Sequence, residues 1–252
     1  MSRKGWGFTT LKLESVESVG PVFKKLRFQL PEGSSLAMLP LTSAILTFSR
    51  PNGSFFPVIR PYTPITRPDD KGFIDLLVKQ YPNGKASTHL HSLQPGDTLS
   101  VAGPIPGYAW KPNEQPHVNL VAGGAGITPM YQLIQGILGN ADETTKIKLI
   151  YGANTEAELV LRDELTALEK KFPDRFHAVY TVSDPATAES SDTHKGRITK
   201  ELLEAELARP GKVFVCGPPA MEQSLVGTKG LLWGKSGVLQ ELGYSKSEIY
   251  KF

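Results

Sequence analysis

Val121-Ala122-Gly123-Gly124-Ala125-Gly126-Ile127-Thr128-Pro129-Met130 closes an apolar run, 117–121, and opens a stretch of helical spacing, 129–139. A strand that runs into three glycines within four residues and then a helix is a strand–turn–helix unit. Glycines at such a turn let backbone N–H groups approach an anion, and the helix N-terminus favours negative charge. Pro129 suits the first helical position. A tight turn with no ligand would use the same glycines, and the spacing is not the Gly-x-Gly-x-x-Gly of a plain dinucleotide-binding dehydrogenase. A second turn, Val215-Cys216-Gly217-Pro218-Pro219-Ala220-Met221, ends another apolar run, 212–216. In a parallel sheet, ligands gather beyond the carboxyl ends of the strands. Two such turns side by side can hold one dinucleotide, which gives Cys216 a pocket position rather than that of a small buried hydrophobe.

Working outward, strand-like runs at 147–151 and 176–182 alternate with helical runs at 158–171 and 199–208. That rhythm predicts an α/β doubly wound parallel sheet over residues 118–252. Upstream, residues 111–117 read as a linker, carrying Lys111-Pro112-Asn113-Glu114-Gln115-Pro116. Residues 1–110 have a different character. Short β-branched and aromatic runs at 11–16, 24–30, 44–49, 73–80 and 98–101 are separated by Gly20-Pro21, Pro31-Glu32-Gly33, Pro51-Asn52-Gly53, Pro68-Asp69-Asp70 and Pro95-Gly96-Asp97. Strands at such spacing predict a small antiparallel β-barrel or sandwich. One helical candidate, 87–93, interrupts them, with Ser87 as its cap. There is no internal repeat and no low-complexity segment.

The composition agrees with two modest domains: 252 residues, 40% apolar and 21% charged, enough to bury a core in each. No apolar run approaches the ~18 residues of a membrane helix, and Met1-Ser2-Arg3-Lys4-Gly5 is no apolar signal segment. The single cysteine excludes an internal disulfide framework, a cysteine-ligated zinc site and an iron–sulfur cluster within one chain. His89 and His91, two apart on a helix, point in different directions and make a poor metal pair. No metal site is expected, and nothing indicates nucleic acid. The net charge of +3 hides an asymmetry. Residues 1–110 carry 12 Lys/Arg against 7 Asp/Glu, whereas residues 111–252 carry 16 against 18. A basic first half suits an anionic cofactor or an acidic partner, although ordinary surface variation produces the same imbalance.

Arg60-Pro61-Tyr62-Thr63-Pro64 is the marked stretch of the first half. Its prolines hold it extended. Arg60 offers a planar fork for a pyrophosphate, Tyr62 an aromatic face and Thr63 a hydroxyl. Alone, the string also reads as a proline-stiffened edge strand. Downstream, Val78-Lys79-Gln80-Tyr81 leads to Asn83-Gly84-Lys85-Ala86-Ser87-Thr88, a second phosphate seat with backbone N–H groups and Ser87 as donors.

In this order and at these intervals, Arg60–Pro64, Val78–Tyr81, Gly84–Ser87, Gly123–Met130 and Cys216–Met221 resemble the NADH–cytochrome b5 reductase family, within the wider ferredoxin-reductase-like flavoproteins. The likeness extends to Leu159-Val160-Leu161-Arg162 and to the ending from Leu242-Gly243-Tyr244-Ser245-Lys246 to Phe252, covers essentially the whole chain, and looks closest to the fungal mitochondrial form. It implies an N-terminal antiparallel barrel holding FAD and a C-terminal α/β domain binding NADH. By position, Arg60 and Pro61 would lie at the FAD pyrophosphate, Tyr62 along the flavin and ribityl chain, and Thr63 near the flavin nitrogen that receives hydride. Val78, Tyr81, Gly84, Lys85, Ala86 and Ser87 would complete that seat. Lys79, Gly123, Gly124, Thr128, Cys216, Gly217, Pro218 and Met221 would face NADH, with Thr63 and Cys216 at the chemistry. The protein's part would be orientation, holding the reacting atoms about 3–3.5 Å apart. At the end of the third strand, Ser183 and Asp184 would choose the cofactor, the carboxylate accepting from ribose hydroxyls and repelling an extra phosphate.

The resemblance further implies cytochrome b5 or a similar acidic haem protein as acceptor, docking near Lys24, Lys25, Arg27, Lys71, Lys79 and Lys85. It also implies a monomer and a place at the mitochondrial outer membrane or intermembrane space. Three positions depart from the family's pattern. Gly20-Pro21-Val22-Phe23 stands where a Ser-His-Asp/Asn-Thr stretch is usual, so no histidine is available there for proton relay. Ala125 replaces a threonine and Ala86 a methionine. The rival readings are an NADPH-using ferredoxin-reductase-like flavoprotein and a non-enzymatic nucleotide-binding module.

Overall fold

The structure is a computed structural model that describes residues 7–31, 41–51, 54–67, 69–228 and 234–252. The opening Met1-Ser2-Arg3-Lys4-Gly5, and the turn residues Glu32, Gly33, Asn52, Gly53 and Pro68, lie outside the described residues. The chain divides into two compact units, Met1–Trp110 with Tyr131–Gly136, and Lys111–Met130 with Ile137–Phe252.

The first unit contains β1 (Gly7–Val19), β2 (Phe23–Gln29), β3 (Ser43–Ser49), β4 (Val58–Tyr62), β5 (Phe73–Lys79), α1 (Lys85–Ser92) and β6 (Thr98–Pro106). Its six strands pair antiparallel in the order β4-β3-β6-β1-β2-β5. Burial along β3 alternates strictly, with Ser43, Ile45, Thr47 and Ser49 inward. That is the period of a sheet with one covered face. Leu11, Leu13, Leu26, Phe28, Ile74 and Leu76 meet in the core beneath Leu90 of α1. The Ile65 N–H donates to the Asp75 carbonyl at 3.0 Å, tying the segment after β4 to β5 and curling the sheet into a half-barrel. Pro61 falls on edge strand β4, where a missing donor is tolerated.

The expected helix 87–93 begins earlier, at Lys85, with Gly84 at the cap position. Ser87 therefore lies inside the first turn and does not cap it. Its hydroxyl donates to the Gly84 carbonyl at 3.1 Å and accepts from the Tyr81 N–H at 3.3 Å, which closes the 81–84 turn. Asn83 holds φ of 60° there, a left-handed conformation that Asn adopts more readily than most residues.

The remaining elements are β7 (His117–Gly123), α2 (Ile127–Gly139), β8 (Lys146–Ala153), α3 (Arg162–Lys171), β9 (Phe176–Val182), β10 (Thr193–Lys195), α4 (Lys200–Glu206), β11 (Lys212–Cys216), α5 (Pro219–Val226), α6 (Val238–Glu241) and β12 (Ile249–Lys251). The sheet runs β10-β9-β8-β7-β11-β12 and every pairing is parallel. After His117, all of β7 is buried, as expected where both faces are covered. The chain leaves β7 toward β8 on one side and returns to β11 on the other, so a crevice opens beyond the ends of β7 and β11.

Boundaries differ from the expectation where the backbone is special. A 3₁₀ turn, Gly124–Gly126, precedes α2, so Pro129 is its third residue, not its first. The shift is harmless because first-turn N–H groups have no intrahelical acceptor. α3 starts at Arg162 rather than 158, because Leu161 is left-handed at φ of 64°. α4 begins after Thr199, whose side chain accepts from the Leu202 N–H at 3.2 Å. β10, α5, α6 and β12 have no counterpart in the periodicity. β10 and β12 span three residues each, too few for a pattern to show.

Asp75, the one deeply set carboxylate among the described residues of the half-barrel, takes two bonds from Arg27, Nε to Oδ1 and Nη2 to Oδ2, each 2.8 Å. Arg27 also lies 3.9 Å over the Phe73 ring. Asp75→Asn should lower stability in urea by about 1.5–3 kcal/mol, the range for charge-assisted bonds. The lower figure is favoured because Arg27 is 36% exposed and partly screened. A loss below about 0.5 kcal/mol would show the pair to be incidental.

Candidate functional site

In the first unit, β4 and the start of α1 pack together and gather the expected FAD residues. The Arg60 backbone is held by the Thr47 hydroxyl, which donates to its carbonyl at 3.1 Å. The Arg60 guanidinium is exposed and donates to the Ile59 carbonyl at 2.7 Å. Tyr62 lies half-buried with its hydroxyl pushed up to about 12, chiefly by burial, with Tyr81 adding and Arg60 opposing. Thr63 is half-buried directly after them, and the Tyr81 ring is 47% exposed. No side chain caps the N-terminus of α1 at Gly84, so its first N–H groups have neither a side-chain cap nor an intrahelical acceptor, beside exposed Lys85. A cation, two aromatic faces and an uncapped helix start suit an anionic dinucleotide with a flat ring.

Three expected contacts change character. Val78 and Ala86 have buried side chains, so each offers a ligand backbone only. Ser87 is 5% exposed and spends its hydroxyl on the turn. Lys79 sets its ammonium 5.6 Å from the Phe23 ring and 6.0 Å from that of Tyr81. Of the six cations expected to guide docking, four are engaged, Lys79 by the two rings just named. Lys24 donates to the His91 carbonyl at 2.8 Å, Lys25 pairs with Glu17 at 2.5 Å, and Arg27 pairs with Asp75. Lys71 and Lys85 are exposed.

In the second unit the two glycine turns meet. Ala122 of β7 is paired with Cys216 of β11, which sets Gly123 beside Gly217. A Cβ on Gly126 would collide with the Cys216 carbonyl, and one on Gly217 would stand 3.2 Å from the Gly123 Cα. Gly124 holds φ of 52°, open to glycine at no steric cost. Met221 and Pro218 lie across the pair, within 2.7 and 2.8 Å of where a Gly123 Cβ would be. This is a pair of turns floored by bare backbone and covered by a flexible thioether, the kind of floor a dinucleotide uses by backbone approach once the thioether turns aside. Thr128, 7% exposed, donates its hydroxyl to the Ala125 carbonyl at 3.1 Å, so it holds the turn. Cys216 is half-buried and its thiol is pushed up to about 12 by burial, then by Glu222, against Lys251. It is a neutral thiol, not a nucleophile.

Ser183 and Asp184 stand where expected, at the end of β9. Asp184 is exposed and its Oδ1 accepts from the Ala186 N–H at 3.1 Å. Sequence reasoning missed Glu222, which accepts from the Gly217 N–H at 3.3 Å and pairs with Lys251 at 3.3 Å. Its only signal was its place on an unread helix, α5.

The Oxidoreductase FAD-binding domain family matches residues 10–110, and the Oxidoreductase NAD-binding domain family matches residues 120–226. Fold and site thus define a two-domain flavin- and nicotinamide-binding oxidoreductase. NADH-cytochrome b5 reductase 2 of Pyricularia oryzae is 45% identical over 98% of this chain and 76% of its own length. The protein of the same name from Chaetomium globosum is 47% identical over 98% and 72%. The cytochrome b5 reductase domain of Ulva prolifera nitrate reductase superposes with a TM-score of 0.84 at 30% identity, over 99% of this chain and 98% of that one. The chain belongs to the NADH–cytochrome b5 reductase family.

A thiol held near 12 has about a thousandth of the thiolate that an ordinary cysteine has at pH 8. Cys216 should therefore react with iodoacetamide at least about a hundredfold more slowly than a cysteine peptide at that pH. Intact mass reads the reaction directly, as there is one cysteine. Labelling at the peptide's rate would mean an open or activated thiol.

Proposed function

We propose that this chain is a flavoprotein reductase that draws on NADH and serves a cytochrome b5-type haem protein. The meeting of the two glycine turns, backbone against backbone, carries the reading, in a chain whose first unit has the FAD-family match. Bound FAD supplies an acceptor for the hydride of NADH and a donor of single electrons to the haem. The chain's own residues bind and orient. Arg60 takes the FAD pyrophosphate as a bidentate cation, with the α1 N–H groups, Gly84 and Lys85 beside it. Tyr62 and Tyr81 provide faces for the ring system and ribityl chain. Thr63 offers a hydroxyl at the hydride-accepting nitrogen. Gly123, Gly124, Gly217 and Pro218 admit the nicotinamide half, and Met221 moves to let it in. Neutral Cys216 shapes that place without bringing charge to it.

Residues 1–110 form the FAD domain in this reading, 111–117 a linker and 118–252 the NADH domain. The carboxylate of Asp184 favours NADH over NADPH, since an uncompensated like charge outweighs the neutral hydrogen bond of Ser183. Docking of the acidic haem protein draws on Lys71, because Lys24, Lys25 and Arg27 are committed and Lys85 stands at the pyrophosphate. We further infer a monomer at the mitochondrial outer membrane or intermembrane space. Among the described residues, no helix is long and apolar enough to cross a membrane.

The purified protein should be yellow, with a flavin spectrum bleached by NADH and restored on adding oxidised cytochrome b5. A colourless protein that binds nucleotide would sink the assignment in favour of a binding module. Arg60→Ala should lose FAD on dialysis, with affinity down about ten- to a hundredfold, since a charge-assisted pair contributes roughly 1.5–3 kcal/mol. Full retention would place the pyrophosphate elsewhere.

A further inference from the structure

Asp184 does not hold its place alone. It opens a loop, 184–193, whose far end is gathered by one side chain from another connection. Glu156 Oε2 accepts from the N–H of Glu189 at 2.5 Å and of Ser190 at 3.1 Å, and its Oε1 accepts from the Thr193 hydroxyl at 3.2 Å. Arg162 donates to the same Oε1 and, through Nη2, to Asp192 at 2.6 Å. The guanidinium also lies 4.7 Å over the ring of Tyr180, the β9 residue paired with Thr193. The near end is tied too. The Glu156 N–H donates to the Thr187 hydroxyl at 3.3 Å, and that hydroxyl donates to the Asp184 carbonyl at 2.9 Å. The N–H groups of Ser183 and Asp184 donate to the carbonyls of Ala153 and Asn154 at 3.0 and 2.9 Å. One residue thus grips both ends of the loop that presents Asp184.

The Glu156 carboxyl is held down to about 2. Hydrogen bonds from the Ser190 hydroxyl, then from the Ser190 and Glu189 N–H groups and Arg162, outweigh its burial. The clamp is therefore ionised throughout the working range. None of its members lies on the glycine turns, so its effect on a cofactor must pass through the loop.

We propose that Glu156, with Arg162 and Thr187, is a positioning residue for cofactor selection: it locks the 184–193 loop so that the Asp184 carboxylate meets the adenosine ribose in one fixed place. This rests on the reading that Asp184 selects NADH. A loose loop would let the carboxylate swing aside and would blunt both the attraction for the ribose hydroxyls and the repulsion of a 2′-phosphate.

The test uses the FAD-loaded chain and the variants Glu156→Gln, Asp184→Ala and their double. NAD⁺ and NADP⁺ are titrated calorimetrically, and NADH and NADPH turnover is followed with a small dye acceptor. Glu156→Gln should raise the Kd for NAD⁺ and the KM for NADH about five- to tenfold, keep kcat within about twofold, and shrink the NADH preference by a similar factor. In the Asp184→Ala background the same change should have no further effect on preference. Amide exchange at Glu189 and Ser190 should quicken in Glu156→Gln. If Asp184→Ala leaves the preference intact, the underlying reading of Asp184 falls. If Asp184→Ala abolishes the preference while Glu156→Gln does not change it, or if the two changes add independently, the clamp is overturned and the Asp184 reading stands. Should Glu156→Gln fail to fold, Thr187→Val breaks the near-end tie and must give the same split between KM and kcat.

Discussion

Gly126 sits so close to the Cys216 carbonyl that no side chain fits between them. That backbone-to-backbone approach is the constraint on which the second unit's site depends. It requires β7 and β11 to be neighbours, which needs a chain that runs outward through β8, β9 and β10 before crossing back. It requires the glycine turn to tighten into a 3₁₀ turn before α2. With both conditions met, Gly123 and Gly217 lie side by side and leave bare peptide where most strand ends carry side chains. Such a floor suits a planar, weakly polar ring and its phosphates, because backbone N–H groups and van der Waals contact are all it offers.

The half-barrel solves a different problem. An antiparallel sheet with one wet face has two edges, and here each is put to use. β5 is fastened through Asp75, which takes the Arg27 fork and accepts from Ile65 through its carbonyl. β4, the other edge, carries Pro61, and Pro64 follows two residues past its end, so Arg60, Tyr62 and Thr63 stand on proline-stiffened backbone. α1 then brings its uncapped N-terminus against that edge. Stiffness matters because a ring held loosely loses the orientation on which hydride transfer depends.

Several polar side chains hold sharp turns of the scaffold. Ser87 closes the 81–84 turn, Thr128 closes the glycine turn, and Glu156 closes the 184–193 loop. In each case a hydroxyl or carboxylate satisfies backbone groups that a sharp turn would otherwise leave exposed or unpaired. These polar side chains thus shape the seats from behind.

What the chain's order of residues determined by itself was the class of each half. Short β-branched and aromatic runs punctuated by Gly and Pro in residues 1–110, and strand–helix alternation beyond 117, are local signals, and local sterics produced strands β2, β3, β5, β9 and β11 close to their expected bounds. The two glycine turns and Arg60–Pro64 were legible for the same reason, since glycine and proline act on the backbone where they stand. Tertiary structure alone decided the rest. Leu161 in a left-handed conformation moved the start of α3, and no propensity announces that. Strands β10 and β12 form only because a neighbouring strand offers a free edge. Lys24, Lys25 and Arg27 read as a basic patch, yet each is drawn to a partner on another strand or, for Lys24, to the His91 carbonyl. Glu156 carried no motif, because its meaning lies in bonds to residues more than 30 positions away. Spacing along a chain records which backbone shapes are allowed; which side chains meet is set by how the strands are ordered in the sheet, and that order is a property of the packed whole.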